Sequence, residues 1–241
     1  MTRTQTDGYP DFKTPLEALQ WCWANFGKRA SIGTSLQGAG LVILHLAYTN
    51  GMPFPVFTID TGVLFQETLD LKKKIEKFLS LQIESLVPEL DLAAQGQMHG
   101  EKLWLRDPDL CCHMRKVLPL QRKLETLDVW ITGVRRDQSN ERSKTGLVEA
   151  FQRTTSSSVQ EILKVSPMAE WSRARVDAYL QEYKIPTNDL LERGYRSIGC
   201  MPCTSPVAPG ADERDGRWQG SEKKECGIHT FFQKPLRTPE S

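Results

Sequence analysis

Six cysteines stand in a chain of 241 residues, and five of them sit where their spacing or neighbours suggest chemistry. Cys111-Cys112 and Cys200-Met201-Pro202-Cys203 form two close pairs, and each pair can supply adjacent corners of a tetrahedral sulfur site. Neighbouring cysteines serve a single zinc ion only at the cost of backbone strain, because zinc spacings usually leave two to four residues between ligands. A 4Fe–4S cluster accepts neighbouring thiolates at two different irons. The spacing therefore favours one cluster per chain over structural zinc, with a redox dithiol or plain buried thiols as the remaining readings. Ile198, Gly199 and Pro202 flank or interrupt the second pair and suit a shielded group. Cys226 stands apart, in Lys223-Lys224-Glu225-Cys226-Gly227-Ile228-His229. Two lysines and a histidine within three positions favour the thiolate and so a nucleophile, against the plain alternative of a surface cysteine in a charged tail. Cys22 falls beside the apolar stripe of a helix and reads as a small core residue.

Three segments suit an anion. Gly133-Val134-Arg135-Arg136-Asp137-Gln138-Ser139-Asn140-Glu141-Arg142-Ser143-Lys144 carries four cations, and guanidinium forks match phosphate or sulfate oxygens. Residues 31–40 lack the Gly-Lys-Ser/Thr of a Walker loop, yet Thr34, Ser35 and the amides near Gly38 can cradle an anion at a helix N-terminus. Asp60-Thr61-Gly62 is a turn whose weight comes from its position after a strand. Lys116, just past the first cysteine pair, and Arg214 and Arg217, beyond the second, come near one another if the four cysteines meet.

These residues need a scaffold that gathers them. Helical spacing of apolar residues marks 14–26, 41–48, 64–79, a stretch near 115–124, and 172–183. β-rich runs at 29–36, 55–59, 81–87 and 129–132 alternate with them. Strands alternating with crossover helices imply an α/β fold, a mostly parallel sheet with helices on both faces. The turns after Leu36, Ile59 and Thr132 should share the carboxyl edge, where such sheets bind ligands. Residues 154–158 read as a short polar loop, and 200–221, rich in Gly, Pro and charge, as a loop-rich tail over the sheet edge. With 31 Lys plus Arg against 30 Asp plus Glu, the formal charge of +1 argues against a wrapped nucleic acid or an anionic membrane as the main partner. Residues 1–14 have no apolar core of signal-peptide length, and no apolar run approaches the roughly 20 residues of a membrane span. The expectation is a soluble cytoplasmic protein whose thiols stay reduced.

The full set of motifs resembles the assimilatory sulfonucleotide reductases, the adenylyl-sulfate/phosphoadenylyl-sulfate reductase family, over about residues 31–229. The matching pieces are Ile59-Asp60-Thr61-Gly62, Cys111-Cys112 with Arg115-Lys116, and Trp130-Ile131-Thr132-Gly133 leading into Arg135-Arg136-Asp137-Gln138-Ser139. Further matches are Gly194-Tyr195, Ser197-Ile198-Gly199-Cys200 through Cys203-Thr204, and Glu225-Cys226-Gly227-Ile228-His229. The resemblance implies an adenine nucleotide α-hydrolase-like fold, with a reductase domain over 1–199 and, over 200–241, the second ligand pair and a mobile catalytic tail. It implies a 4Fe–4S cluster on Cys111, Cys112, Cys200 and Cys203, and Cys226 as the nucleophile that attacks the terminal sulfur of a phosphosulfate. Lys116, Arg214 and Arg217 match phosphosulfate-contacting positions, and His229 matches one near the nucleophile. Arg135, Arg136 and the loops at Ser35, Gly38, Asp60, Thr61 and Gly62 would hold phosphate and adenosine. The product would be an S-sulfocysteine on Cys226. Thioredoxin or a glutaredoxin-like dithiol would resolve it to sulfite, in sulfate assimilation toward cysteine, and a dimer or tetramer is expected. The paired cysteines match the subset that generally uses adenosine 5′-phosphosulfate. Thr34-Ser35-Leu36-Gln37-Gly38-Ala39-Gly40 departs from that subset's Gly-Ala-Glu-Asp run and is closer to the branch using the 3′-phosphorylated nucleotide, which keeps that substrate, or dual use, as the alternative. Two other classes compete. An ATP-dependent tRNA thiolase requires a Ser-Gly-Gly-x-Asp-Ser loop that residues 31–40 lack, and a zinc-stapled nucleic-acid module requires a basic surface.

Overall fold

Alternating apolar strands and helices build one seven-stranded sheet in the order β1-β6-β7-β5-β2-β3-β4. The computed structural model describes residues 2–4, 8–154 and 159–229. The strands are β1 (Thr2–Thr4), β2 (Ala30–Gly33), β3 (Val56–Ile59), β4 (Ile83–Leu86), β5 (Val129–Thr132), β6 (Val148–Thr154) and β7 (Val159–Val165). The helices are α1 (Pro15–Phe26), α2 (Gly38–Thr49), α3 (Gln66–Leu79), α4 (Leu92–His99), α5 (Leu103–Arg106), α6 (Pro108–Cys112), α7 (Leu118–Leu124) and α8 (Arg173–Glu182). Neighbours from β7 through β5, β2 and β3 to β4 pair in parallel, while β6 runs antiparallel to β7 and β1 antiparallel to β6.

Burial explains the strand sequences. All four residues of β5 are buried, as a parallel strand covered on both faces requires. Helix α2 is apolar nearly all round because it lies on the sheet and packs against α1, α3 and α8. Its residues join those of α1, β2 and α8 in the larger core. On the opposite face Leu120, Leu124 and Leu127, in and just after α7, cover Phe57, Trp130 and Phe151. Cys22 is fully buried in the first core, and burial pushes its thiol up to about 12, in keeping with its reading as a packing residue.

The expected alternation holds, with shifts that have local causes. Strand β2 stops at Gly33 because Thr34 Oγ1 accepts the Leu36 amide at 3.0 Å and Leu36 takes φ +58°. Helix α1 starts at Pro15 because the Thr14 hydroxyl caps the Glu17 amide. The helix expected near 115–124 is preceded by a π-helical turn at His113–Val117 that joins α6 to α7. The β6–β7 pair and helices α4 and α5 have no counterpart in the sequence reading. Of the polar loop expected at 154–158, Thr154 ends β6 and residues 155–158 lie outside the described residues.

The strand order reverses between β2 and β5, since β3 and β4 lie to one side of β2 while β5 and β7 lie to the other. Ligands in such sheets bind in the crevice at that switch point. The turns after β2 and β5 meet closely there. A Cβ built on Gly133 would lie 2.7 Å from the Gly40 amide nitrogen and 3.1 Å from its Cα. Backbone atoms cannot swing aside, so Gly133→Ala should prise the loop after β5 from the start of α2. The expected loss is about 1–3 kcal/mol in chemical denaturation, accompanied by weaker AMP binding, and an unchanged midpoint would show that the two segments can separate freely.

Candidate active site

The first cysteine pair is positioned by a capped helix and an unusual turn. Asp107 caps α6 by accepting the Leu110 amide at 2.8 Å, and Pro108 opens the helix. In the π-helical turn that follows, the extra residue lets Arg115, Lys116 and Val117 all turn inward, so they are buried together with Cys111 and Cys112. The second pair is tied to the loop after β3. Cys200 bridges Leu64, the Met201 amide donates to the Val63 carbonyl at 2.8 Å, and the Thr61 hydroxyl lies 3.2 Å from Cys200 Sγ. All four cysteines line one small cavity with Val63, Trp104, Pro108, Arg115, Lys116 and Pro202. Among the described residues, no three His, Cys, Asp or Glu side chains form a group that could hold a metal ion. The four cysteines are thus neighbours around one enclosure and not a single-ion site.

The donor set suits a cationic guest. Burial first, and then the neighbouring sulfurs, push the Cys111 thiol up to about 12. Burial pushes Cys112 up to about 11, and it raises Cys203 as well, with Cys200 adding to the rise. Cys200 alone among the four is lowered, because Lys116, the Thr61 hydroxyl and Arg217 together outweigh its burial. Four mutually repelling thiols in a buried pocket lose their protons together only when positive charge enters among them.

A larger cavity of about 210 Å³ opens at the switch point of the sheet and is walled by the turns after β2, β3 and β5. Ser35, Gly38, Thr61 and Arg135 line it, as do Lys116, Arg214, Arg217, Cys226 and His229. Lys116 borders both cavities. Burial disfavours its charge, yet facing Cys200, Cys112 and Cys226 hold its ammonium above the usual lysine range.

Three residues expected at the site do not line this cavity. The Asp60 carboxylate accepts the Gly62 amide at 2.9 Å and so shapes the turn. Gly62 has φ +73°, and a Cβ there would lie 3.0 Å from Arg115 Nη2. Its bareness makes room for the buried Arg115, which donates to the Thr61 carbonyl at 2.5 Å and to Gln95 at 2.9 Å. Arg136 turns away to the Thr145 carbonyl and Glu170, both at 2.9 Å. Arg135 reaches the wall but is already paired with Asp137 at 2.9 Å and Glu213 at 2.8 Å.

Cys226 is buried against Cys112 and Trp218. Lys223 pairs with Asp109 on α6, and Lys224 is exposed. Lys116 and Arg214 are cations whose charge reaches Cys226. Trp218 gathers the surrounding charge, with Arg217 at 4.4 Å and Arg214 and Lys223 at 5.6 Å from its ring. Arg214 Nε and Trp218 Nε1 are buried without hydrogen-bond partners among the described residues, as donors awaiting an anion would be. Glu225 is clamped by Arg142 and Arg214, and these cations hold its carboxyl below the usual range despite its burial. His229 stacks on Trp130, with centroids 5.3 Å apart and planes within 5°.

The sequence reading missed several wall residues. Arg173 and Arg196 look like solvated charges in sequence, yet both line the cavity, as does Glu213. Gln37 brackets Ile198, donating to its carbonyl at 2.5 Å and accepting its amide at 2.7 Å, and so ties the loop after β2 to the approach to Cys200. Its place beside the glycine turn is the one available signal.

An α/β sheet with a nucleotide-sized crevice, cationic walls and buried thiols defines a nucleotide-binding protein with sulfur chemistry at its switch point. Comparison with known proteins narrows that class. Residues 30–206 match the phosphoadenosine phosphosulfate reductase domain, and the chain belongs to that family. It is 41% identical over 218 residues to the adenosine 5′-phosphosulfate reductase of Bacillus mycoides (strain KBAB4), covering 90% of this chain and 91% of that one. The crystal structure of phosphoadenylyl-sulfate (PAPS) reductase from Candida auris, a phosphate complex, is 29% identical with TM-score 0.66, covering 80% of this chain and 90% of that one. Candida glabrata FMN adenylyltransferase, at 12% identity and TM-score 0.55 over 91% of this chain and 81% of that one, shares the α/β fold.

His229 titrates in a way that can be measured. Burial, reinforced by Arg142, Lys164 and Arg214, holds its imidazole well below the ordinary value. Between that lowered value and about 6.5 the unfolded chain binds the additional proton, so stability rises with pH there. The contribution is complete above about 6.5 and is lost as pH falls toward the folded-state value. Urea unfolding from pH 7.5 down to 5 should show the decline, and His229→Gln should remove part of it, His45 supplying another part through its own burial. Identical slopes in the two proteins would mean that His229 is not held neutral.

Proposed function

We propose that the chain reduces adenosine 5′-phosphosulfate to sulfite and AMP in sulfate assimilation, using a thiol on Cys226 and an external dithiol. The carrying observation is that Cys226 lines the switch-point cavity together with Lys116 and Arg214, whose Nε is buried without a partner among the described residues. The curated relative's name supports the unphosphorylated nucleotide, and the two cysteine pairs support it too. Among the described residues no helix is long and apolar enough to cross a membrane.

The chemistry follows from charge. The Cys226 thiolate attacks the terminal sulfur, a sulfur–sulfur bond forms, and the bond from that sulfur to the bridging phosphate oxygen breaks. AMP leaves with the electron pair. Thiolate and phosphosulfate are both anionic, so the barrier is largely electrostatic, and fixed cations lower it without reorganising. Lys116, Arg214 and Arg217 supply them, while Ser35, Gly38, Thr61 and Arg135 bound the remainder of the cavity where phosphate and adenosine fit. A thiolate of thioredoxin, or of a glutaredoxin-like protein, then attacks Cys226 Sγ and sulfite departs with the electron pair. The reductant's second thiol displaces Cys226 and leaves the reductant as a disulfide. No internal thiol can do this, because Cys22 lies in the core and the other four cysteines line the small cavity.

Cys111, Cys112, Cys200 and Cys203 would hold a 4Fe–4S cluster. It would supply a fixed electrostatic and structural centre, since thiol exchange moves electrons in pairs. The chain beyond the second cysteine pair acts as the mobile tail that carries Cys226 between substrate and reductant, as its present burial requires.

Anaerobically purified protein incubated with adenosine 5′-phosphosulfate and no reductant should gain the mass of one SO3, and Cys226→Ser should gain none. An unmodified wild-type mass would overturn the mechanism, and faster turnover of the 3′-phosphorylated nucleotide would overturn the choice of substrate. Separately, Cys200→Ser should lose the brown colour and the bound iron while AMP still binds.

A further inference from the structure

Glu225, next to Cys226, places a carboxylate among cations that an anionic substrate needs. Its Oε1 accepts from Arg142 Nε at 2.8 Å and its Oε2 from Arg142 Nη2 at 2.9 Å, a bidentate fork in which both side chains are only 11% exposed. The remaining nitrogen of Arg142, Nη1, donates to Gln138 at 2.7 Å. Every nitrogen of Arg142 is thus committed to the protein. Arg214 differs. Its Nη2 donates to the Lys224 carbonyl at 3.0 Å and to Glu225 at 3.2 Å, but its Nε is buried and unpartnered among the described residues. Arg142 lies close enough to Arg214 to disfavour its charge, and Glu225 lies between the two and relieves that repulsion.

The apolar attachment of this segment is Cys226 against Cys112 and Trp218, Ile228 against the core of Leu120 and Trp130, and His229 stacked on Trp130. Apolar contacts are non-directional and do not by themselves fix a thiol to within the fraction of an ångström that a displacement requires. A planar ionic fork one residue away does.

We propose that Glu225 is a positioning residue, whose fork with Arg142 docks the tail so that Cys226 Sγ meets the sulfonucleotide, leaving Lys116, Arg217 and the spare Nε of Arg214 for the substrate anion. The inference rests on the reaction proposed above. It assigns Arg142 to the tail and not to the substrate.

The holoenzyme and its Glu225→Gln, Glu225→Asp, Arg142→Gln and doubly substituted (Glu225→Gln, Arg142→Gln) forms test this by two readouts. The first is alkylation of Cys226 by iodoacetamide, located by peptide mass, with buried Cys22 as the control for unfolding. The second is single-turnover formation of the S-sulfocysteine at saturating adenosine 5′-phosphosulfate. In Glu225→Gln, alkylation of Cys226 should rise about tenfold or more while Cys22 stays protected, and sulfonation should slow by a similar factor. AMP affinity should change far less than either rate. Arg142→Gln should do the same, the double variant should be no worse than either single one, and Glu225→Asp should recover part of the rate. Wild-type alkylation of Cys226 in both single variants would overturn the proposal. So would a sulfonation defect that saturating nucleotide abolishes, because Glu225 would then act on anion binding. Should wild type form no adduct while Glu225→Gln still exposes Cys226, the reaction is wrong and the docking contact stands.

Discussion

The site depends on one buried ammonium. Lys116 borders both cavities and remains charged in an environment that removes its water, because Cys112, Cys200 and Cys226 face it. Removing a charge from water costs several kcal/mol unless opposite charge meets it. Cys200, whose thiol is lowered despite its burial with Lys116 as the leading favourable charge, is the sulfur this lysine most directly serves. Lys116 sets the four-cysteine pocket against the nucleotide cavity, on a cationic turn that immediately follows the first cysteine pair. A π-helical turn serves here where a regular one would not, since Cys111, Cys112, Arg115 and Lys116 must all be buried within six consecutive positions.

The parallel sheet supplies the rest. Its switch point brings together turns from distant parts of the chain, and the close approach of Gly133 to Gly40 keeps the crevice narrow at its base. A net charge of +1 conceals the concentration of cations this creates. Much of that concentration is already answered by carboxylates, with Arg135 held by Asp137 and Glu213, and Arg142 held by Glu225. What is left for a substrate is smaller than the number of arginines suggests, and more directional. It includes Lys116, Arg217, Arg196 and one nitrogen of Arg214.

The parts legible in sequence were those set by local pattern. Strand and helix alternation gave the parallel sheet and its binding edge, and the spacing of Cys111, Cys112, Cys200 and Cys203 gave a shared pocket before any of them was seen to meet. Arg136 shows where such reasoning ends. It sits beside Arg135 in the same cationic loop, yet one guanidinium enters the cavity wall and the other pairs with Glu170 at the surface, a choice decided by the turn's geometry and not by residue type. The surroundings of Cys226 are likewise only partly local. Lys223 pairs with Asp109 and Lys224 faces solvent, while Lys116 from the turn after α6 and Arg214 from its own loop also bring charge to the thiol. Glu213, 78 positions from its partner Arg135, leaves no local mark at all.

On the proposed reaction, the placement of Cys226 on a loop-rich segment follows from that reaction's two halves. Cys226 has to be shielded while it meets the nucleotide, since water would compete for the same electrophilic sulfur, and it has to be reachable while a protein dithiol meets the adduct. A cysteine fixed in a strand or helix could satisfy only one of these conditions. A tail held by apolar burial could satisfy both, but each opening would expose that surface at roughly 25 cal/mol per Å². Ion pairs offer a different balance, because guanidinium and carboxylate regain water when they part and much of the separation cost is returned as hydration. The segment around Cys226 combines the two, with Glu225 on Arg142 and Lys223 on Asp109 beside the apolar contacts of Cys226 and Ile228 and the stacking of His229 on Trp130. Adding an S-sulfo group to Cys226 places a new anion next to Glu225, and the two then compete for Arg214.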